Sequence, residues 1–292
     1  MNGLVLLDKP KGITSHDAVN RWRKLAGTKR AGHLGTLDPM ATGLLMLVSG
    51  NTTRLARFFE KHEKTYEAEV RFGFISDTYD AEGAVSPTGA APPDPAQIAE
   101  ALDGFRGSFF QKPPPVSAKK IGGVPAYKLA RKKQPVDLQP VLVSIQRLEW
   151  RMIAPDLCHL LVTCSAGTYI RSLAHDLGQL LGCGAILIGL RRTASGAFQV
   201  SDARTFEELE QLKQENKLDA ALIPPARILP EFPIAYVDAA TEAQIRMGRE
   251  FRTSPFAIPS GAPLVKALSY SGDLVAIGEL KFPNVYHPMM VL

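Results

Sequence analysis

The chain has 292 residues, 45% of them hydrophobic and 22% charged, with a formal net charge of +5. This is the composition of a globular protein with enough material for one large and one small domain, and it excludes a disordered or fibrous chain. No apolar run approaches the length of a bilayer span, and "MNGLVLLDKPKG" reads as a strand and turn rather than a signal peptide, so a cytoplasmic protein is expected.

Residues 3 to 8 read as the first strand. "TSHDAVNRWRKLAG" then predicts a helix, with a Ser or Thr cap, an apolar stripe through Ala18, Trp22, Leu25 and Ala26, and Gly27 as its stop. Next comes "GHLGTLDPMATGLL", residues 32 to 45, in which a single carboxylate, Asp38, stands among glycines, threonines and aliphatic side chains. Asp-Pro commonly opens a turn, and that alone accounts for the composition. Three features point further. Pro39 stiffens the stem of Asp38, while Gly32, Gly35 and Gly43 admit close backbone approach. The buried strand expected at "GLLMLVSG" would mount the loop on something rigid. The stretch reads as a holder for one immobile carboxylate.

"NTTRLARFFEK" predicts a second helix. "KTYEAEVRFGF" alternates, with Tyr66, Ala68, Val70 and Phe72 on one face and Thr65, Glu67, Glu69 and Arg71 on the other, which is the pattern of a half-buried strand. "PDPAQIAEALDGFRG" gives a helix. Between Gly104 and Val136 lie Arg106, Lys112, Lys119, Lys120, Lys128, Arg131, Lys132 and Lys133 with no Asp or Glu, so this segment alone carries +8 and the rest of the chain −3. It also carries Phe105, Phe109, Phe110 and Tyr127, and cations interleaved with stacking surfaces suit nucleic acid, although charge runs also occur as plain solvated loops. Strands follow at 141–153 and 157–165, and "GTYIRSLAHDLGQLLG" has a strong helical period.

Four prolines in "IPPARILPEFP", residues 223 to 233, suggest a boundary, beyond which short strands and Gly turns predict a small β-barrel with a helix near "TEAQIRMGR". Strands and helices interleave without a βαβ rhythm, so the fold class is α+β with a mixed sheet. Cys158, Cys164 and Cys183 lack CxxC spacing and read as reduced structural thiols; no metal site is visible.

Four motifs in this order resemble the TruB family of tRNA pseudouridine-55 synthases: "GHLGTLDPMATGLL", "KTYEAEVRFGFISDTYDAEG", "GTYIRSLAHDLG" and "LRRTASGAF". The resemblance runs from about residue 2 to 202, with a weaker likeness of the tail to PUA-type RNA-binding domains. Val116, where the family often has an aromatic, and Phe72, where Leu is usual, depart from the pattern. The resemblance implies the pseudouridine synthase fold, its sheet mixed but largely antiparallel, in a catalytic domain over 1–228 with a basic thumb-loop insertion at about 104–136, and a PUA-like domain over 229–292. It implies Asp38, Tyr66 and Arg171 as catalytic residues, with Asp38 acting on the sugar and paired to Arg171, and Tyr66 stacking on the target base. The substrate-binding set it implies is His33, Tyr169, Leu190, Lys9, Lys119 and Lys120. Asp77 and Asp80 are expected in a turn that supports the site rather than as acids. The implied substrate is the T-loop and stem of tRNA, with no cofactor or metal and a monomeric enzyme. A lone carboxylate suits an isomerase, since a hydrolase ordinarily wants a second acid to activate water. Three rival readings are a hydrolytic nucleoside glycosylase, a non-catalytic RNA-folding module and a guide-RNA-dependent synthase.

Overall fold

The computed structural model describes residues 1–117, 120–121, 124–125, 138–254, 258–259 and 261–292, with backbone alone at 120–121 and 124–125. In chain order the elements are β1 (Gly3–Lys9), α1 (Ser15–Ala26), β2 (Ala31–Leu34), β3 (Thr42–Ser49), a 3-10 helix (Gly50–Phe59), β4 (Lys64–Phe72), β5 (Phe74–Ser76), β6 (Val85–Pro87), α2 (Pro95–Asp103), β7 (Gly107–Gln111), β8 (Lys120–Ile121) and β9 (Val124–Pro125). There follow β10 (Val141–Ala154), β11 (Leu157–Cys164), α3 (Ile170–Leu180), β12 (Ala185–Ser195), β13 (Phe198–Gln199), α4 (Phe206–Gln214), β14 (Ile234–Val237), α5 (Ala239–Arg246), β15 (Phe251–Arg252), β16 (Leu264–Ser269), β17 (Leu274–Phe282) and β18 (Val285–Val291).

Helix α1 forms where the sequence places it. Thr14 and Asp17 make a reciprocal capping box, and Gly27 ends the helix in the left-handed conformation at φ 61°. Ala18, Val19 and Trp22 are buried on its inner face, and the Trp22 indole N–H donates to Ser49 Oγ at 2.6 Å. The second expected helix is instead a 3-10 turn series over Gly50–Phe59. Its buried positions, Thr52, Leu55 and Phe59, fit either period over so short a span, so side-chain spacing could not separate the two.

The main sheet runs β1-β3-β12-β4-β11-β10-β7, with β13 paired to β12 and β2 to β3. Its pairings are antiparallel except β3 with β12, so the sheet is mixed and largely antiparallel, as the sequence led one to expect. Strand β3 pairs along one edge with β1, while its other edge is divided: β2 takes Met46 to Ser49 and β12 takes Thr42 and Gly43. The chain that joins β2 to β3 is the Asp38 loop. Gly43 is required there, because at φ 95° a Cβ would lie 2.3 Å from the Arg192 carbonyl oxygen.

β1 and β3 are buried on both faces. On one side Val5, Leu7, Leu45 and Leu47 join Trp22 of α1, Ile98 of α2, Leu173 and Leu177 of α3 and Phe206 of α4 in the larger core. On the other, Leu4, Leu6, Leu44 and Met46 pack with Leu268, Leu274, Ile277 and Met290 of the C-terminal sheet. That sheet runs β14-β16-β17-β18-β15, and register shifts in β16, β17 and β18 bend it. It also encloses a core of its own around Val265, Val275, Ile245 and Tyr286. Lys266, 2% exposed within it, donates to the carbonyls of Ala226 and Ile228 and ties the preceding linker down. The three cysteines are free and buried. Among the described residues no helix is long and apolar enough to cross a membrane.

Candidate active site

The loop that carries Asp38 has its backbone carbonyls satisfied one after another. Arg192 of β12 donates to the carbonyls of Gly35 at 3.0 Å and Thr36 at 3.4 Å. The Ser15 hydroxyl donates to the Leu37 carbonyl at 3.0 Å and accepts from the Leu37 N–H at 2.8 Å. The Asp38 carbonyl accepts from Ala41 N–H at 3.1 Å, and that of Pro39 from Gly12 N–H at 2.8 Å. Five successive anchors from β12, α1, the loop itself and the β1–α1 turn leave this segment little freedom. The stillness inferred from Pro39 and the flanking strand therefore comes mainly from partners distant in sequence.

Arg171, at the start of α3, brings three further segments to the loop. Its Nε approaches Asp38 Oδ2 at 2.9 Å and its Nη2 donates to Asp38 Oδ1 at 3.2 Å. On its far side Nη1 donates to the Thr78 carbonyl at 3.0 Å and lies 3.4 Å from Asp80 Oδ2, while Nη2 also reaches the Val116 carbonyl at 3.0 Å. The Arg171 side chain is 5% exposed and that of Asp38 35%, so the carboxylate, not the guanidinium, is presented outward. Asp80 accepts in addition from Thr78 Oγ1 and Glu82 N–H, and Asp77 accepts from Ala84 N–H. Both carboxylates brace the β5–β6 turn, as expected of them. Val116 contributes only its backbone, so the contact is indifferent to the side chain there.

A cavity of about 430 Å³ opens over Asp38, lined by His33, Tyr66, Tyr169, Leu190 and Arg171 among others. A second hollow of about 620 Å³ lies on the other side of the Asp38–Arg171 pair, against His16 and Ser117. Tyr66 is 7% exposed, and burial pushes its phenol above the ordinary tyrosine range although Arg192 beside it pulls the other way. Tyr169 is held by a two-way amide contact, its N–H donating to Gln111 Oε1 and its carbonyl accepting from Gln111 Nε2, and burial raises its phenol too. His33 has its pKa lowered by burial first, then by Arg192 and His16, which leaves a neutral imidazole at pH 7.

One expectation is corrected. Lys9 is fully buried, and its Nζ donates to the carbonyls of Pro10, Ile13 and Pro39. With all three N–H groups engaged beneath the loop, it braces Asp38 from behind and offers nothing to a substrate. Burial lowers its pKa to about 8, against the pull of Asp38. Lys119 lies outside the described residues, as do Tyr127, Lys128, Arg131, Lys132 and Lys133, and of Lys120 only the backbone, in β8, is described. Arg106, at the start of the basic segment, pairs with Asp103 at 3.0 Å.

Sequence reasoning missed Ser15, Lys64 and Arg192. Lys64 was findable, since it continues the parity of Tyr66, Ala68 and Val70, and a lysine on the inward face of an alternating strand is out of place. Arg192 sits directly opposite Tyr66 across the β4–β12 pairing, a relation that only the register reveals. Among the described residues no group of three His, Cys, Asp or Glu side chains is placed to hold a metal.

Residues 23–170 match the model of the TruB family pseudouridylate synthase N-terminal domain, and residues 171–229 that of the tRNA pseudouridylate synthase B C-terminal domain. A protein called tRNA pseudouridine synthase B from Solibacter usitatus (strain Ellin6076) is 50% identical over 295 residues, covering 100% of both chains. One of the same name from Dechloromonas aromatica (strain RCB) is 38% identical over 279 residues, covering 96% of this chain and 91% of its own. Among solved structures, a Cbf5–Nop10–Gar1 complex superposes with a TM-score of 0.72 at 24% identity, covering 99% of this chain and 84% of the matched one. An H/ACA RNP bound to a substrate RNA containing 2′-deoxyuridine gives 0.73 at 23% identity, covering 99% and 84%. At that identity the two structures establish a shared fold.

Proposed function

The chain belongs to the TruB family of pseudouridylate synthases, isomerases acting on tRNA, and we propose that its substrate is the T-loop uridine at position 55 and that Asp38 is the catalytic carboxylate. The observation that carries the site assignment is the Asp38–Arg171 contact at the floor of a cavity walled by Tyr66, Tyr169 and Leu190. The guanidinium pairs with one side of the Asp38 carboxylate and leaves its outward side free.

Conversion of uridine to pseudouridine breaks the N1–C1′ bond, turns the uracil within the site and joins C5 to C1′. The proton lost from C5 is balanced by the one gained at N1, so nothing is consumed. Asp38 stabilises or captures the sugar as the base departs. Tyr66 and Leu190 offer surfaces against which the freed base can rest and turn, and the neutral His33 can enter the stack that the extruded uridine leaves. The apolar walls of the pocket retain the uracil and, with the RNA bound over the opening, keep water from the sugar.

We assign the catalytic body to residues 1–228 and an RNA-binding tail to 229–292. The enzyme acts as a monomer in the cytoplasm, and the basic segment around Lys119 and Lys120 grips the RNA backbone. A T-loop presents unstacked bases and a folded shape, which stacking surfaces and cations read better than a groove-reading helix does. The test is incubation with an unmodified tRNA transcript and mapping of pseudouridine at single-nucleotide resolution. Modification confined to position 55 is the expected result. Free uracil with an abasic site would mark a hydrolase, and binding without any product would mark a non-catalytic RNA module.

A further inference from the structure

Two cations on the cavity wall have no part in the chemistry above. Lys64 opens β4 on the face that carries Tyr66, and its Nζ donates to the His62 carbonyl at 2.7 Å, with no second acceptor for that ammonium among the described residues. Beside it Arg192, 1% exposed, spends its hydrogen bonds on the carbonyls of Leu44, Gly35 and Thr36. Both flank the same point of the loop: a Cβ on Gly35 would lie 3.4 Å from Arg192 Nη1 and 3.5 Å from Lys64 Cε. Neither cation has an ion-pair partner among the described residues, whereas Arg171 across the same cavity has two. Positive charge brought together out of bulk water with no counter-ion is costly, and a half-buried pair of this kind is relieved by an anion that arrives with the ligand.

We propose that Lys64, backed by the fixed charge of Arg192, is an anion subsite that takes a backbone phosphate next to the target nucleotide. This rests on the reading of the cavity as the uridine site of an RNA substrate, and it commits the Lys64 end of the cavity to the strand and the Asp38 end to the sugar and base. Lys64 reaches the phosphate directly. Arg192 acts through it and through the loop, so Arg192 is a positioning residue here.

Burial lowers the Lys64 pKa to about 8, with the Arg192 repulsion as the next cause and the Cys164 thiol opposing. Among the described residues the other charged or titratable groups facing this region are Tyr66 on the same strand, His62 and Glu63 just before it, Glu60 on the rim, and Asp38, Arg171, Tyr169 and His33 across the cavity. A phosphate raises the pKa of the ammonium it contacts. Binding therefore takes up a proton above pH 8, and it weakens as pH rises through the free-enzyme value.

The experiment compares full-length wild type, Lys64→Met and Lys64→Arg in equilibrium binding of an unmodified tRNA transcript, from pH 7 to about 9 and across about 50–200 mM salt, alongside pseudouridine formation. Lys64→Met should weaken binding about tenfold at pH 7 and lower the steepness of log K against log salt by roughly 0.7–0.9, the share of one phosphate contact. Lys64→Arg should keep the affinity at pH 7 and remove the extra weakening above pH 8. An unchanged salt slope in a folded Lys64→Met protein would overturn the subsite. If Lys64→Met does not fold, the arginine variant decides alone: persistence of the full wild-type pH dependence overturns the proposal. A wild type that binds tRNA with these signatures but makes no pseudouridine would defeat the functional reading and leave the phosphate contact standing.

Discussion

Asp38 and Arg171 are 133 residues apart in the chain and 2.9 Å apart in space. The relation is asymmetric, because Arg171 is sealed under Thr78, Asp80 and Val116 while the carboxylate still faces the cavity. The buried partner fixes the angle of the exposed one. In the proposed mechanism the reaction chemistry belongs to Asp38, and Arg171 aligns it.

Asp38→Asn keeps shape and removes the negative charge. Pseudouridine formation should fall below detection while the tRNA dissociation constant stays within about threefold, since one carboxylate adds little to binding governed by phosphate contacts. Appreciable product from this variant, measured on an unmodified transcript, would remove Asp38 from the catalytic role.

Arg171→Lys replaces a planar fork with a point charge that cannot serve Asp38, Thr78 and Val116 together. The maximal rate should drop by about 10²–10³ with a smaller change in KM, as for loss of preorganised electrostatic support. Asp80→Asn leaves the Asp38 contact in place and loosens the far side only; a smaller rate loss is expected, with stability lowered by about 1–3 kcal/mol. Equal kinetic damage from both substitutions would contradict this order.

Ser15→Ala removes one hydroxyl and two hydrogen bonds to the Leu37 backbone, at a position 2% exposed. A buried N–H and C=O are then left without partners, which should lower unfolding stability by about 1–3 kcal/mol. The rate should fall as well, because Leu37 immediately precedes Asp38. Denaturant unfolding and single-turnover kinetics check the two effects, and wild-type rate with lowered stability would show that the loop holds its shape without this anchor.

Lys9 supplies a pH test of the same platform. Its folded pKa of about 8 lies below the ordinary lysine value of 10.5, so between those values the unfolded chain holds the extra proton. Stability from this group therefore rises with pH across about 8 to 10.5, and its burial penalty is fully present below pH 8. Buried thiols pull the whole protein the other way above about pH 9, so the comparison is with Lys9→Met. The stability of wild type relative to the variant should grow between pH 7.5 and 9.5. The same difference at both values would mean that Lys9 does not titrate as described.

Local chemistry made part of this molecule readable in advance. The cap and stop of α1, the alternation of β4 and the helical period of α3 depend on neighbours in sequence, and each of these elements forms where its residues indicate. Strand β2 escaped notice because "AGHL" has no β-branched residue and pairs only with β3, from Leu34 opposite Met46 to Ala31 opposite Ser49. Asp38, Tyr66 and Arg171, which line one cavity, could be named from motif order, but Arg192 and Ser15 could not, because their partners are backbone groups and every residue has those. Lys9 misled for the related reason that a lysine beside a functional loop gives no sign of whether it faces inward or outward.

The C-terminal sheet raises a last point through the side chains it shares with β1 and β3. Leu268, Leu274, Ile277 and Met290 do not merely adjoin Leu4, Leu6, Leu44 and Met46; they complete the same apolar layer, behind the strands that frame the Asp38 loop. Cutting the chain at the proline-rich linker would strip the lining from the back wall of the enzyme, with a cost on the scale of several core truncations of about 2–5 kcal/mol each. Heating should then give one melting event for both sheets, and the border proposed near residue 229 would divide topology but not thermodynamics. An appendage whose removal melts its host cannot be exchanged or lost as a module, and any gain in RNA affinity it brings comes bound to its duty as a keystone.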